Sequence, residues 1–171
     1  MTFPAAGRSE SHEIEVWRFM KEILVAVDGS KHSEKIVDYA IELAKTMSAK
    51  IALIYVMPEL SIPEDYKKYA EAEKISQPES SYLRSVAERI LADLGERIGK
   101  KGVEYEGVYT AGNPAEAILH AVERRKIDLV MVGVRGLHGL GRLRALGSVA
   151  RKVIENSPIP VISVPGGEIL D

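Results

Sequence analysis

Apolar residues in this chain follow two rhythms: short unbroken runs, and stretches where they recur every three or four positions. The runs EILVAVDGS (Glu22–Ser30), KIALIYVMP (Lys50–Pro58) and DLVMVGV (Asp128–Val134) are rich in Val, Ile and Leu, and each gives way to a glycine turn or a proline. They read as strands covered on both faces, as in a parallel sheet. Val103–Thr110 alternates, with Val103, Tyr105 and Val108, and is a further strand; proline-bounded Val161–Val164 is the last. Between them, Ile36, Val37, Ala40, Ile41, Ala44 and Met47 form a stripe at helical spacing, with Ser30 as its candidate cap. Ser80–Lys101 repeats the pattern through Leu83, Val86, Ala87, Ile90, Leu91, Leu94 and Ile98, and Gly102 closes it. Asn113, Pro114 and Glu116 spell a capping box that opens a helix to about Arg125. A short helix is expected over Ser148–Asn156.

The order is β-α-β-(loop)-α-β-α-β-α-β, an α/β chain with a single parallel sheet and helices on both faces. Leu60–Glu79 is polar, charged and broken by Pro63 and Pro78, and reads as a loop or a loosely held helix. A connection of this length in a compact domain points to a lid or a partner surface, so residues 59–79 are expected to be a flexible insert. Residues 1–19 have no clear period and stand as an N-terminal extension, either a mobile arm or an extra strand over Glu13–Phe19. The domain itself is expected to span residues 20–171, with Met20 directly before the first strand.

Hydrophobic residues make up 46% and charged residues 28%, enough for a sizeable core under a solvated surface. The formal net charge is −2, from 23 basic and 25 acidic side chains, which gives no general attraction for nucleic acid or anionic membrane. Cysteine is absent, so disulfides, thiolate catalysis and cysteine metal sites are excluded. No stretch is apolar enough to span a bilayer, and the N-terminus lacks the apolar run of a secretion signal. A cytoplasmic protein is the expectation.

In such sheets ligands bind beyond the carboxyl ends of the strands, where strand order reverses. Two strand ends carry special residues. The first ends in VDGS (Val27–Ser30); the strand at Asp128–Val134 opens into GVRGLHGLGRLRALGS (Gly133–Ser148). Gly133 and Gly136 follow the strand, Gly139 and Gly141 come next, and Gly147-Ser148 begins a helix. Glycines let backbone N–H groups converge, and a helix start adds unpaired N–H groups and partial positive charge, which together suit phosphate. Arg135, Arg142 and Arg144 add charge there, or simply solvate a loop. Asp28 either accepts hydrogen bonds from a ribose or adenine, or caps a helix and closes an Asx turn with Gly29 and Ser30. His12, His32, His120 and His138 are scattered without metal-ligand spacing. The phosphate loop ending in Gly-Lys-Ser/Thr is absent, and no nucleophile–base pair has a supporting spacing.

A strand ending in Asp-Gly-Ser, a strand followed by G-x2-G, a spaced Gly-Ser and a terminal PVISVP together resemble the universal stress protein family over Met20–Pro165. The resemblance implies a Rossmann-like fold of the adenine nucleotide alpha hydrolase type: five parallel strands in the order 3-2-1-4-5, the first central. ATP-binding members carry G-x2-G-x9-G-(S/T); here ten residues, Leu137–Leu146, separate Gly136 from Gly147. The resemblance further implies ATP as ligand, with Mg2+ or Mn2+ held through the phosphates. Asp28, with Ala26 and Val27, would sit near adenine and ribose, and the backbone around Val56 would hold the adenine edge. Val132, Gly133, Arg135, Gly136, Gly147, Ser148 and Val149 would surround the triphosphate. Val161–Val164 would pair with its copy in a homodimer, in keeping with an uncovered apolar edge. The function implied is an ATP-binding stress-response module; a slow ATP hydrolase and a nucleotide-free interaction protein are the alternatives.

Overall fold

The computed structural model of the chain describes residues 20–57, 63–134 and 146–165. Five parallel strands form one sheet: β1 (Glu22–Val27), β2 (Lys50–Met57), β3 (Tyr105–Ala111), β4 (Leu129–Val134) and β5 (Val161–Pro165). Their order is β3-β2-β1-β4-β5, so β1 is central and β3 and β5 are the edges. The helices are α1 (Lys31–Met47), α2 (Glu64–Ala72), α3 (Pro78–Gly99), α4 (Pro114–Arg124) and α5 (Ser148–Asn156).

Alternation along β1 divides the core in two. Ile23, Val25 and Val27 join the apolar stripes of α1 and α3 on one face. Leu24 joins Ile54, Val56, Ile118, Val132 and Val153 on the other, under α4 and α5. The expected strand order and two-sided helix cover are what the chain forms.

The segment expected as an insert is partly helical. Pro63 stands at the N-cap of α2, and Ala70 is the residue that α2 buries. Tyr66 on α2 meets Tyr82 on α3 with ring centroids 4.9 Å apart. α3 begins at Pro78, inside the segment, because proline is well placed in the first turn of a helix. Strand β3 starts later than its alternation suggests: Val103 is buried, but pairing with β2 runs from Tyr105 to Ala111. Residues 1–19, to which an arm or extra strand was assigned, lie outside the described residues. No helix among the described residues is long and apolar enough to cross a membrane.

Candidate functional site

A cavity of about 450 Å³ opens at the carboxyl ends of β1, β2 and β4. Chain order reverses here, since β2 and β4 flank β1 on opposite sides. Ala26, Val27 and Asp28 lie at the end of β1, with Val56 beside them on β2 and Val132 and Gly133 on β4. Gly147, Ser148 and Val149 close the far side. Nine of the residues singled out in the sequence thus line one space. Arg135 and Gly136, the other two, lie outside the described residues, as do Gly139, Gly141, His138, Arg142 and Arg144.

Asp28 sits in a tight turn. Its Oδ1 accepts from the Ser30 amide at 3.0 Å, the Ser30 hydroxyl at 2.5 Å and the Ser33 hydroxyl at 2.8 Å. Ser33 Oγ in turn accepts from the Asp28 amide at 2.9 Å. Gly29, with φ +75°, supplies the left-handed residue that this turn needs. Ser30 occupies the N-cap of α1, but its hydroxyl serves Asp28 instead of the helix. The Asx turn therefore forms, and Asp28 lines the cavity as well.

The two described glycines of the motif differ in what they accommodate. A Cβ at Gly133 would lie 2.8 Å from His32 Cδ2 and Nε2 and 2.8 Å from Ile36 Cδ1. At Gly133 the His32 and Ile36 side chains of α1 occupy the space that a Cβ would need. Gly147 has φ −59°, open to any residue, and a Cβ there would meet nothing within 4 Å among the described residues. Among the described residues nothing demands its lack of a side chain, and it lines the cavity.

Gly147 is also the N-cap of α5. The first bond inside that helix runs from the Arg151 amide to the Gly147 carbonyl at 2.9 Å. The amides of Ser148, Val149 and Ala150 thus have no carbonyl within the helix, and all three residues line the cavity. The helix dipole adds partial positive charge at the same place. These donors suit an anion.

The sequence reading missed several wall residues: His32, Ser33 and Ile36 from α1, Tyr55 on β2, and Pro114 and Ile118 from α4. The signal for the first two was available. They follow Asp-Gly-Ser within the first turn of α1, and that turn must face the strand end. Tyr55 is largely buried; burial first, then Tyr82 and Asp28, push its phenol above the usual tyrosine range. His120 stands on α4, accepting from Arg124 at 2.9 Å, and is not among the cavity residues. Among the described residues no cluster of three His, Asp or Glu side chains could hold a metal.

Comparison with known proteins identifies the family. The model of the universal stress protein family matches residues 20–165. The chain belongs to that family. Universal stress protein YxiE of Bacillus subtilis is 33% identical over 146 residues, covering 84% of this chain and 97% of the relative. A universal stress protein solved in complex with cAMP superimposes with a TM-score of 0.59 at 26% identity, covering 85% of this chain and 97% of that one. A universal stress protein family protein of Arabidopsis thaliana, solved with AMP bound, shares the fold with a TM-score of 0.62 at 20% identity, over 86% and 93% of the two chains. As a universal stress protein, the chain places Asp28 of its Asp-Gly-Ser turn and its Gly-Ser helix start on one cavity.

Proposed function

We propose that this universal stress protein binds an adenine nucleotide, ATP, in the cavity at the strand ends, and that it works as a nucleotide-responsive homodimer rather than as a fast enzyme. The observation that carries the reading is the start of α5: three amides without a helical acceptor open onto a cavity next to a glycine whose Cβ position is open among the described residues. Such a terminus suits the phosphates. The apolar ends of β1, β2 and β4 at Ala26, Val27, Val56 and Val132 suit a purine face, and the Asp28 carboxylate suits ribose hydroxyls. Arg135 and Gly136 join the phosphate side on the strength of the sequence pattern. The cAMP-bound relative, at 26% identity, supports the ligand class. Mg2+ or Mn2+, where present, would screen phosphate charge without a protein ligand set of its own. Edge strand β5 is proposed as the subunit seam, and the segment 59–79, which carries α2, as a lid or partner surface.

The test is direct. Freshly purified protein is denatured and the supernatant is examined for adenine nucleotide; emptied protein is then titrated with ATP and magnesium. Released nucleotide, or saturable binding at one site per chain, is the expected result. Absence of both would overturn the reading. Following phosphate release in the same sample separates a binding module from a slow hydrolase.

A further inference from the structure

His32 connects three elements. It is the second residue of α1, is half-buried and lines the cavity. Its ring fills the space that Gly133 on β4 leaves bare. Its Nε2 lies 3.1 Å from the carbonyl oxygen of Val164 on β5. A carbonyl only accepts, so Nε2 carries the proton and donates.

The register explains why this contact matters. Val164 pairs with Gly133, so the ring covers the last rungs of the β4–β5 ladder. The Val130 amide bonds the Pro160 carbonyl at 3.0 Å, and by alternation Ile162 and Val164 also turn their backbone groups toward β4. Ser163 turns its groups away, toward the open edge. The Val164 oxygen has a second lone pair, and His32 takes it. Among the described residues, Val164 is the fully buried side chain of β5, and the others are half-buried or exposed. The edge strand is held by its ladder and by the packing of Val164, Ile162 and Val161 on the two cores, and at its end also by this imidazole, which lines the cavity.

We propose that His32 is a further ligand-site residue, whose bond to Val164 makes the edge strand β5 respond to what occupies the cavity. An occupant packing against the imidazole restrains the ring and, through Nε2, the end of β5. Conversely, anything that grips β5 steadies the ring, because coupling between two sites is reciprocal. The occupant is the adenine nucleotide of the proposed function, and this inference rests on that reading. The tether itself does not depend on that reading, since it is read from His32 and Val164 alone.

Hydrogen exchange at the Ile162 and Val164 amides tests it, in the intact chain, with and without saturating ATP and magnesium. Three proteins are compared: wild type, His32→Leu, which keeps bulk and loses the donor, and His32→Gln, which keeps a donor. Without ligand, both amides exchange about fivefold faster in His32→Leu, the equivalent of one ordinary hydrogen bond, and His32→Gln recovers most of the protection. With ATP at a concentration that titration shows to saturate each protein, exchange at these amides slows in wild type and in His32→Gln, and the slowing is lost in His32→Leu. Equal exchange in ligand-free wild type and His32→Leu would overturn the inference. So would an ATP effect of the same size in all three proteins. A wild type that fails to bind ATP, yet shows the ligand-free difference and its rescue by glutamine, would support the tether and sink the nucleotide reading instead.

Discussion

Gly147 and Gly133 look alike in the sequence and differ in cause. At Gly147 the backbone is ordinary and the Cβ position is open among the described residues, so Gly147→Val should fold normally and project a branched side chain into the proposed phosphate site. ATP affinity should fall tenfold or more, about 1.4 kcal/mol or greater, with the melting temperature unchanged. At Gly133 a methyl would collide with His32 and Ile36, so Gly133→Ala should lower stability by about 1–3 kcal/mol in denaturant unfolding. Equal stability of the two variants would refute this distinction. Tyr55 offers a third check. Its phenol is raised chiefly by burial, so the neutral form is the one the fold favours. Its contribution to stability is present below about pH 10 and is lost as pH rises beyond that. Unfolding free energies measured from pH 9 to 11 should decline, and less steeply in Tyr55→Phe.

Much of the layout was legible from apolar period alone. β1, β2 and β4 are continuous apolar runs because both faces are covered, and that pattern distinguishes them from the helices. β3 was harder to bound because it is an edge strand with an exposed face, where Tyr105 and Tyr109 remain open to solvent. α2 was hidden for a related reason. It buries only Ala70 and otherwise rests on aromatic contacts from Tyr66, so its sequence carries almost no apolar stripe. The α4 start was half legible: Asn113 accepts from the Glu116 amide at 3.2 Å, but the Glu116 carboxylate is drawn to Lys152 of α5 at 2.7 Å instead of completing the box. In the site, the glycine-bearing strand ends were visible in sequence, whereas the α1 and α4 walls depend on which helix faces which strand end. The proposed seam on β5 makes a prediction of its own. Because Ser163 turns outward, Ser163→Pro removes an edge donor while sparing the ladder to β4. Sedimentation should show weaker self-association with an intact fold; an unchanged dimer would place the seam elsewhere.

The sheet separates two kinds of polar chemistry at its two ends. At the amino ends of the strands, Glu22 is 7% exposed and is met by Arg125 at 2.7 Å and Lys50 at 3.0 Å. Arg125 also pairs with Glu106 on β3, and the Asp128 carboxylate accepts from the Lys21 and Glu22 amides at 2.7 and 3.1 Å. These contacts tie β1, β2, β3 and the entry to β4 together, remote from the cavity. Glu22→Gln should therefore cost about 1–3 kcal/mol of stability and leave ATP affinity unchanged in calorimetric titration. At the carboxyl ends, by contrast, polar groups are arranged around a space. Amide chemical shifts of isotope-labelled protein titrated with ATP and magnesium probe that space most directly. The account predicts saturable changes that are largest at Ser148, Val149 and Ala150, with a second group near Val56. Saturable changes centred anywhere else, or none at all, would contradict it.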